Sequence, residues 1–277
     1  MTGSLATHTG ETRVAGVIGW PVRHSQSPAL HNAAFNAAGL DWVYLAFPVP
    51  PGRVQDALVA LDVLGVEGLS VTMPHKSAVA AAVDRCTGPA AALGAVNCVF
   101  RDGDRLVGDN TDGAGFVDSL AEAGITPAGM KTLVVGAGGA ARAVIRALAD
   151  AGADRVAVHN RRPERAASAA ALAGSRGALA IADDWTSADL VVQATSVGMG
   201  DDPTAAFDVE LLGDHAVVAE LIYHPADTPT LVAARGRGLA TVGGIGMLIH
   251  QAGHAFTRWT GRAAPLPEMR RALESTV

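Results

Sequence analysis

Short apolar runs alternate along the chain with longer, helix-patterned stretches, the layout of strands followed by helices. Arg13–Gly19, Trp42–Val49 and Val66–Val71 predict strands and Gly52–Leu64 a helix. Another helix opens near Ser27-Pro28, where proline suits the first helical position. Val96–Phe100 and Arg105–Val107 predict a hairpin across Arg101-Asp102-Gly103-Asp104. A second series starts at Lys131. Thr132–Val135 is wholly apolar, like a strand covered on both faces of a parallel sheet. A glycine-rich turn and an alanine-rich helix follow it. Further strands are predicted at Arg155–His159, Leu190–Ala194, Ala216–Leu221 and Leu239–Val242, then a helix at Ile245–Trp259 and a closing segment at Pro267–Ser275. The alternation implies α/β architecture in both halves.

At 277 residues the chain exceeds the roughly 100–200 of a typical domain, so two domains are expected, with a boundary near Asp112–Gly129. Met1–Thr12 is polar and reads as a mobile tail rather than a signal peptide. Aromatic residues are only 4% of the chain, and alanine and valine carry most of the apolar content, a palette suited to close packing of helices on parallel strands. The net charge of −6 and the absence of any basic run argue against nucleic-acid binding. The apolar stretches fall short of the roughly 20 residues a membrane span needs. Cys86 and Cys98 form neither a disulfide framework nor a metal spacing, and reduced thiols in the cytoplasm are expected.

Between the strand Thr132–Val135 and the next helix stands Gly136-Ala137-Gly138-Gly139-Ala140-Ala141. The first glycine suits a tight turn and the second a close backbone approach to a pyrophosphate. The small Ala141 suits packing of helix on strand, and free N–H groups at the helix start suit an anion. A nicotinamide dinucleotide site is therefore expected. NAD sites usually place Asp or Glu about 20 residues on, to bond the ribose hydroxyl. This chain has Asn160-Arg161-Arg162-Pro163-Glu164-Arg165 instead, whose guanidinium forks suit a 2′-phosphate, so NADP is favoured.

Polar clusters end strands or open helices elsewhere: Ser25-Gln26-Ser27-Pro28, Ser70-Val71-Thr72-Met73-Pro74-His75-Lys76, Asn97 in Gly94-Ala95-Val96-Asn97, Gly108-Asp109-Asn110-Thr111-Asp112-Gly113, and Gln251 on the late helix. Hydroxyls and amides bind sugar-like hydroxyls and carboxylates, and a lysine near a carboxylate can pass a proton as a hydride moves. Taken one at a time, each has a plainer role. Ser27 or Asp112 could cap a helix, Lys76 could be a solvated lysine, and Tyr223 could simply pack.

Together, and in this order, Ser25–Pro28, Val71–Lys76, Gly94–Asn97, Gly108–Gly113, Gly136–Ala140, Ala194–Met199 and Gly246–Gln251 resemble the shikimate dehydrogenase family, over nearly the whole chain from Arg13 to Trp259. The resemblance implies NADPH-dependent, reversible reduction of 3-dehydroshikimate to shikimate, on the route to chorismate and the aromatic amino acids. It implies a substrate domain of mixed, mostly parallel sheet over residues 13–112, completed by C-terminal helices of 245–277, and a Rossmann-like NADP-binding domain over 113–244. By motif, Lys76 and Asp112 would form the catalytic pair, each also touching substrate. Ser25 and Ser27 would bind the carboxylate, and Thr72, Asn97 and Gln251 ring hydroxyls. Tyr223 would lie beside substrate and nicotinamide. Gly136, Ala137, Gly138, Gly139, Ala140, Asn160, Arg161, Arg162, Arg165, Thr195, Gly244 and Met247 would line the cofactor. No metal, membrane or nucleic acid is implied, and a homodimer stays open.

The chain departs from the family pattern at three places. Ser70 stands where many members have Asn, and Glu220 where many have Asp. Arg162 stands where strict NADP enzymes of the family often have Thr, while quinate-accepting relatives can show a double arginine and use NAD. The alternatives are therefore a quinate/shikimate or aminoshikimate dehydrogenase using NAD, and a silent NADP-binding regulator, which would have no need of Lys76 and Asp112. His250 and His254 have the spacing of a metal pair but lack a third ligand, and a structural role is expected.

Overall fold

The least polar segments become the inner strands of two sheets. The computed structural model describes residues 8–274. The chain divides into two units, Met1–Thr111 with Ala252–Val277, and Asp112–Gln251. Expected tail residues 1–7 and Ser275 lie outside the described residues.

The first unit contains β1 (Arg13–Gly19), α1 (Ser27–Ala37), β2 (Trp42–Pro48), α2 (Val54–Val63), β3 (Val66–Val71), α3 (Lys76–Ala82), β4 (Arg85–Cys86), α4 (Gly88–Leu93), β5 (Cys98–Asp102) and β6 (Arg105–Asp109). Its sheet runs β2-β1-β3-β5-β6-β4. β1 lies parallel to β2 and β3, whereas β5 is antiparallel to β3 and β6. Central β1 is covered on both faces, with Ala15, Val17 and Ile18 buried. Glycines admit the large covers: a Cβ on Gly16 would stand 2.3 Å from the Phe47 ring, and one on Gly68 2.4 Å from the Trp259 indole.

Two expectations are corrected here. The first hairpin strand lies two residues further on than its composition suggests, and the second starts at Arg105 as expected but runs on to Asp109, because pairing of Cys98 with both Ser70 and Asp109 sets their register. Thr9–Thr12, expected to be mobile, forms a turn: Thr9 N donates to Thr12 Oγ1 (2.8 Å) and Thr12 Oγ1 donates to Asp41 Oδ1 (2.8 Å).

The second unit contains α5 (Asp112–Glu122), β7 (Lys131–Val135), α6 (Gly139–Asp150), β8 (Arg155–His159), α7 (Pro163–Ala170), β9 (Gly177–Leu179), α8 (Ala182–Ser187), β10 (Leu190–Gln193), β11 (Val217–Glu220), α9 (Pro229–Gly236) and β12 (Ala240–Val242). Every pairing in its sheet is parallel, in the order β12-β11-β10-β7-β8-β9. The chain builds outward from β7 through β8 and β9, then returns to build β10, β11 and β12 on the other side. Alternate residues feed separate cores: Val134, Val156 and Val192 on one face, Leu133, Ala157 and Val191 on the other. Two-sided burial explains why these strands read as unbroken apolar runs.

α10 (Ile245–Thr260) and α11 (Leu266–Glu274) follow, α11 packing on α1 in the first unit. The expected divisions after residues 112 and 244 differ from the observed ones. Asp112 and residues 245–251 group with the second unit, and the second break falls inside α10. The helix runs unbroken across that point, so no loop in the sequence marks it.

Candidate functional site

In the first unit, parallel β1 and β3 end on the side where antiparallel β5 begins, so chain ends from all three meet at one edge of the sheet. Ser25 and Ser27 follow β1, Ser27 being the first residue of α1. Ser25 Oγ accepts from Ser27 N at 3.3 Å, a local turn that holds both hydroxyls at the helix start. Thr72 follows β3, and its N donates to Ile18 O at 3.0 Å. Asn97 lies opposite, its carbonyl accepting from Val71 N (2.7 Å). Lys76 opens α3, and its carbonyl accepts from Val96 N at 2.9 Å. The sheet thus gathers Ser25, Ser27, Thr72, Lys76 and Asn97.

Asn97 is buried and fixed by a residue that the sequence reading gave no role. Its Oδ1 accepts from Thr111 N (2.7 Å), and its Nδ2 donates to Thr111 Oγ1 (2.9 Å). His75 is buried, with Nε2 2.7 Å from Val49 O, which anchors the turn before Lys76. Buried Asp109 accepts from Arg258 Nε and Nη2, both at 2.8 Å, and from Asn110 N. That ion pair holds the strand end leading to Thr111.

In the second unit, a cavity of about 530 Å³ opens where the sheet order reverses beside β7. Gly136, Ala137, Gly138, Asn160, Arg161 and Thr195 line it, together with His159, Ser196, Val197 and Ala206. Gly136 has φ +127, and a Cβ there would stand 2.6 Å from Ala194 O, so the tight turn excludes any side chain. Gly138 and Gly139 face open space. α6 begins at Gly139, so its free N–H groups lie beside that opening. Ala141 is fully buried in the core. These features fit a dinucleotide pyrophosphate, and Arg161 stands on the wall of the same cavity.

Ala140, Arg162 and Arg165 are not among the cavity's lining residues. Arg162 is the exposed cap of α7, its carbonyl accepting from Asn160 Nδ2 at 3.1 Å, and Arg165 is exposed on the first turn. Gln193 supports the cavity wall. Fully buried at the end of β10, it accepts from Thr195 N (2.6 Å) and donates to Val197 O (2.9 Å), so it shapes the cavity loop from below. The only hint in the sequence is a polar residue closing an apolar strand.

Also within the second unit, a Cβ on Gly115 would stand 2.5 Å from Gln251 N, and one on Gly246 2.9 Å from Ser119 Cβ. Small residues thus let α5 and the start of α10 approach closely, bringing Gln251 within a turn of Asp112. Gln251 Nε2 donates to Leu248 O at 2.8 Å. Gly244 abuts the segment before Tyr223, since a Cβ there would lie 2.4 Å from Ile222 O. Met247 belongs to the hydrophobic core, at 8% exposure. His250 meets Glu122 at 3.2 Å, and the described residues hold no cluster suited to a metal ion.

Glu220 is buried at the end of β11. It accepts from Leu221 N, Ile222 N and Thr228 Oγ1 at 3.0–3.1 Å. Burial outweighs these bonds and pushes its carboxyl up to about 7. The fold therefore favours the protonated form, and stability falls as pH rises from the unfolded value of 4.5 through about 7. Glu220→Gln keeps the acceptor without the charge. Relative to the variant, wild type should lose roughly 3 kcal/mol between pH 4.5 and 8, as an upper bound. Urea midpoints at both pH values check this, and parallel pH profiles would refute it.

Comparisons with known proteins agree along the chain. Residues 17–99 match a family model described as the shikimate dehydrogenase substrate binding domain, residues 119–198 one described as shikimate / quinate 5-dehydrogenase, and residues 244–274 one described as the shikimate 5'-dehydrogenase C-terminal domain. The shikimate dehydrogenase (NADP(+)) of Geobacter metallireducens is 45% identical over 275 residues, covering 95% of this chain and 96% of its own. Shikimate 5-dehydrogenase from Thermus thermophilus, solved with NADP(H) and shikimate, superposes with a TM-score of 0.89 at 36% identity, covering 96% of this chain and 100% of that one. Quinate dehydrogenase from Corynebacterium glutamicum, solved with NAD, superposes at 0.87 with 35% identity, covering 95% and 99%.

Proposed function

We infer the activity from membership: the chain belongs to the shikimate dehydrogenase family, and it is an NADP-dependent oxidoreductase that interconverts 3-dehydroshikimate and shikimate. The observation that carries this reading is the glycine turn opening onto the cavity at the reversal point of a parallel sheet, with Arg161 on its wall. The first unit is the substrate domain and the second the cofactor domain. When bound, NADPH supplies the hydride that reduces the ketone carbon.

The chain's own residues bind, orient and protonate. Ser25 and Ser27 hold the carboxylate; Thr72, Asn97 and Gln251 hold ring hydroxyls; Tyr223 lies beside both ligands. Protonated Lys76 stabilises the oxyanion that develops as the ketone is reduced and delivers the proton to it. Asp112 orients the ammonium group. The hydrogen bonds that lock Asn97 to Thr111 support this assignment, since a donor fixed beforehand loses little freedom on binding. Free Cys86 and Cys98 suit a reducing compartment, and we place the reaction in the cytoplasm.

Arg161 is the residue that most directly separates NADP from NAD. A charged hydrogen bond is worth about 1.5–3 kcal/mol. Arg161→Ala should therefore raise KM for NADP roughly 10- to 100-fold and leave KM for NAD little changed. Equal effects on both cofactors would place the 2′-phosphate elsewhere.

One observation favours a second reading: Arg162 directly follows Arg161, and a quinate dehydrogenase solved in complex with NAD shares the fold at 35% identity. Initial rates of shikimate and quinate oxidation, each with NADP and NAD, decide between the two. Fast turnover only with shikimate and NADP sustains the first reading, and comparable rates with quinate and NAD install the second. Silence with every pair would leave a non-catalytic dinucleotide-binding protein.

A further inference from the structure

Among the described residues, the buried side-chain polar atoms without a hydrogen-bond partner are the two ring nitrogens of His31 and the Tyr44 hydroxyl. They belong to one stacked pair, with ring centroids 4.4 Å apart and planes 19° apart. Burying an unmatched polar group costs stability, so unmatched atoms gathered at one place call for a physical reason.

Tyr44 is held rigidly against α1. Asn32 of that helix clamps its backbone, with Nδ2 donating to Tyr44 O (3.0 Å) and Oδ1 accepting from Tyr44 N (2.8 Å). His31, which stacks on the ring, lies one turn after Ser27 on the same helix. Strand register fixes where the ring goes. Ala15 of β1 pairs with Tyr44 on one side and Gly68 on the other, and Val17 pairs with Ala46 and Ser70. Side chains two apart on a strand share a face, so Tyr44 and Ser70 flank β1 on the same face, with only the small Ala15 beneath the ring. Burial raises the phenol far above its ordinary value, and the Ser70 and Ser27 hydroxyls standing close to it partly oppose that rise. The phenol thus stands by the Ser70 and Ser27 hydroxyls, buried and without a hydrogen-bond partner.

We propose that Tyr44 is a positioning residue for Ser27: when a carboxylate ligand arrives, the Tyr44 hydroxyl donates to Ser27 Oγ, and the Ser27 hydroxyl donates its proton to the carboxylate. The inference rests on the reading that Ser25 and Ser27 hold the substrate carboxylate. A hydroxyl that accepts one hydrogen bond becomes a better donor in the next. Because the Tyr44 hydroxyl has no partner in the free protein, no bond of its own is broken when the ligand binds.

The test is Tyr44→Phe, which removes one oxygen from the ring. KM for shikimate should rise roughly three- to tenfold. The turnover number and KM for NADP should not change, and thermal stability should not fall, since the hydroxyl satisfies nothing in the free protein. In a Ser27→Ala background the second substitution should add nothing, whereas in a Ser70→Ala background its full effect should remain. With the methyl ester of shikimate, a far weaker acceptor, wild type and Y44F should show the same KM. An unchanged KM for shikimate overturns the proposal, as does a rise that persists without Ser27 or one equally large for the ester. If Ser27→Ala alone leaves KM for shikimate unchanged, the carboxylate reading fails and the proposal with it; a raised KM in Ser27→Ala beside an unaffected Tyr44→Phe overturns the proposal alone.

Discussion

Lys76→Met should lower the turnover number for shikimate by roughly two to four orders of magnitude while leaving the protein folded, because a positioned acid typically contributes that much to a proton transfer. The loss corresponds to about 3–5 kcal/mol of transition-state stabilisation. Lys76 does not stand at a place in the helix that favours a cation. It occupies the first position of α3, where the helix dipole disfavours a cation, and it is part-exposed beside the buried, anchored His75. Methionine keeps most of the aliphatic stem's packing and removes the charge, so the thermal midpoint should stay within a few degrees of wild type. KM for NADP should also hold, since the glycine turn and Arg161 remain intact. Near-normal turnover in Lys76→Met would mean that another group delivers the proton. A collapse of stability would mean that the lysine is structural.

Legibility in the sequence followed the range of the forces involved. The β7–turn–α6 segment could be read directly, because its apolar run, the strain at Gly136 and the small Ala141 are local requirements. β4 is two residues long and exists only through pairing with Val107 and Gly108 of β6, so no local pattern announces it. α3 and α4 are short and alanine-rich, without enough residues to show a helical period. The polar residues that touch ligands in the proposed site stand out as clusters at strand ends. Those that hold them, Thr111 behind Asn97 and Gln193 beneath Thr195, act through contacts that appear only once strands are in register. Tyr44 is the extreme case. It reads as one more apolar position of a strand, and its relation to Ser70 depends on how β2 and β3 each align with β1.

Acid should destabilise the first unit through His31. The side chain is 1% exposed, its ring nitrogens have no partner, and Tyr44, Phe35 and Trp259 surround it, so burial lowers its pKa from 6.5 to about 3. The fold holds it neutral, whereas the unfolded chain binds a proton below 6.5. Its contribution to stability is therefore complete above about pH 6.5 and is lost as pH falls toward 3. One pKa unit is 1.36 kcal/mol, so from pH 7 to pH 4.5 the loss is about 2.7 kcal/mol, a large share of a domain's ordinary margin. His31→Phe keeps an aromatic ring in the stack and cannot titrate. Repacking shifts its stability by an amount independent of pH, so the informative quantity is the slope of unfolding free energy between pH 4.5 and 7. The variant should be flatter than wild type by that amount. Glu220 in the second unit acts in the opposite sense, losing stability as pH rises through about 7. Calorimetry that resolves the two units should therefore show the first melting earlier at acid pH and the second earlier at alkaline pH. His31→Phe should move only the first transition and Glu220→Gln only the second. Equal slopes for wild type and His31→Phe would mean that the buried imidazole finds a way to carry its proton.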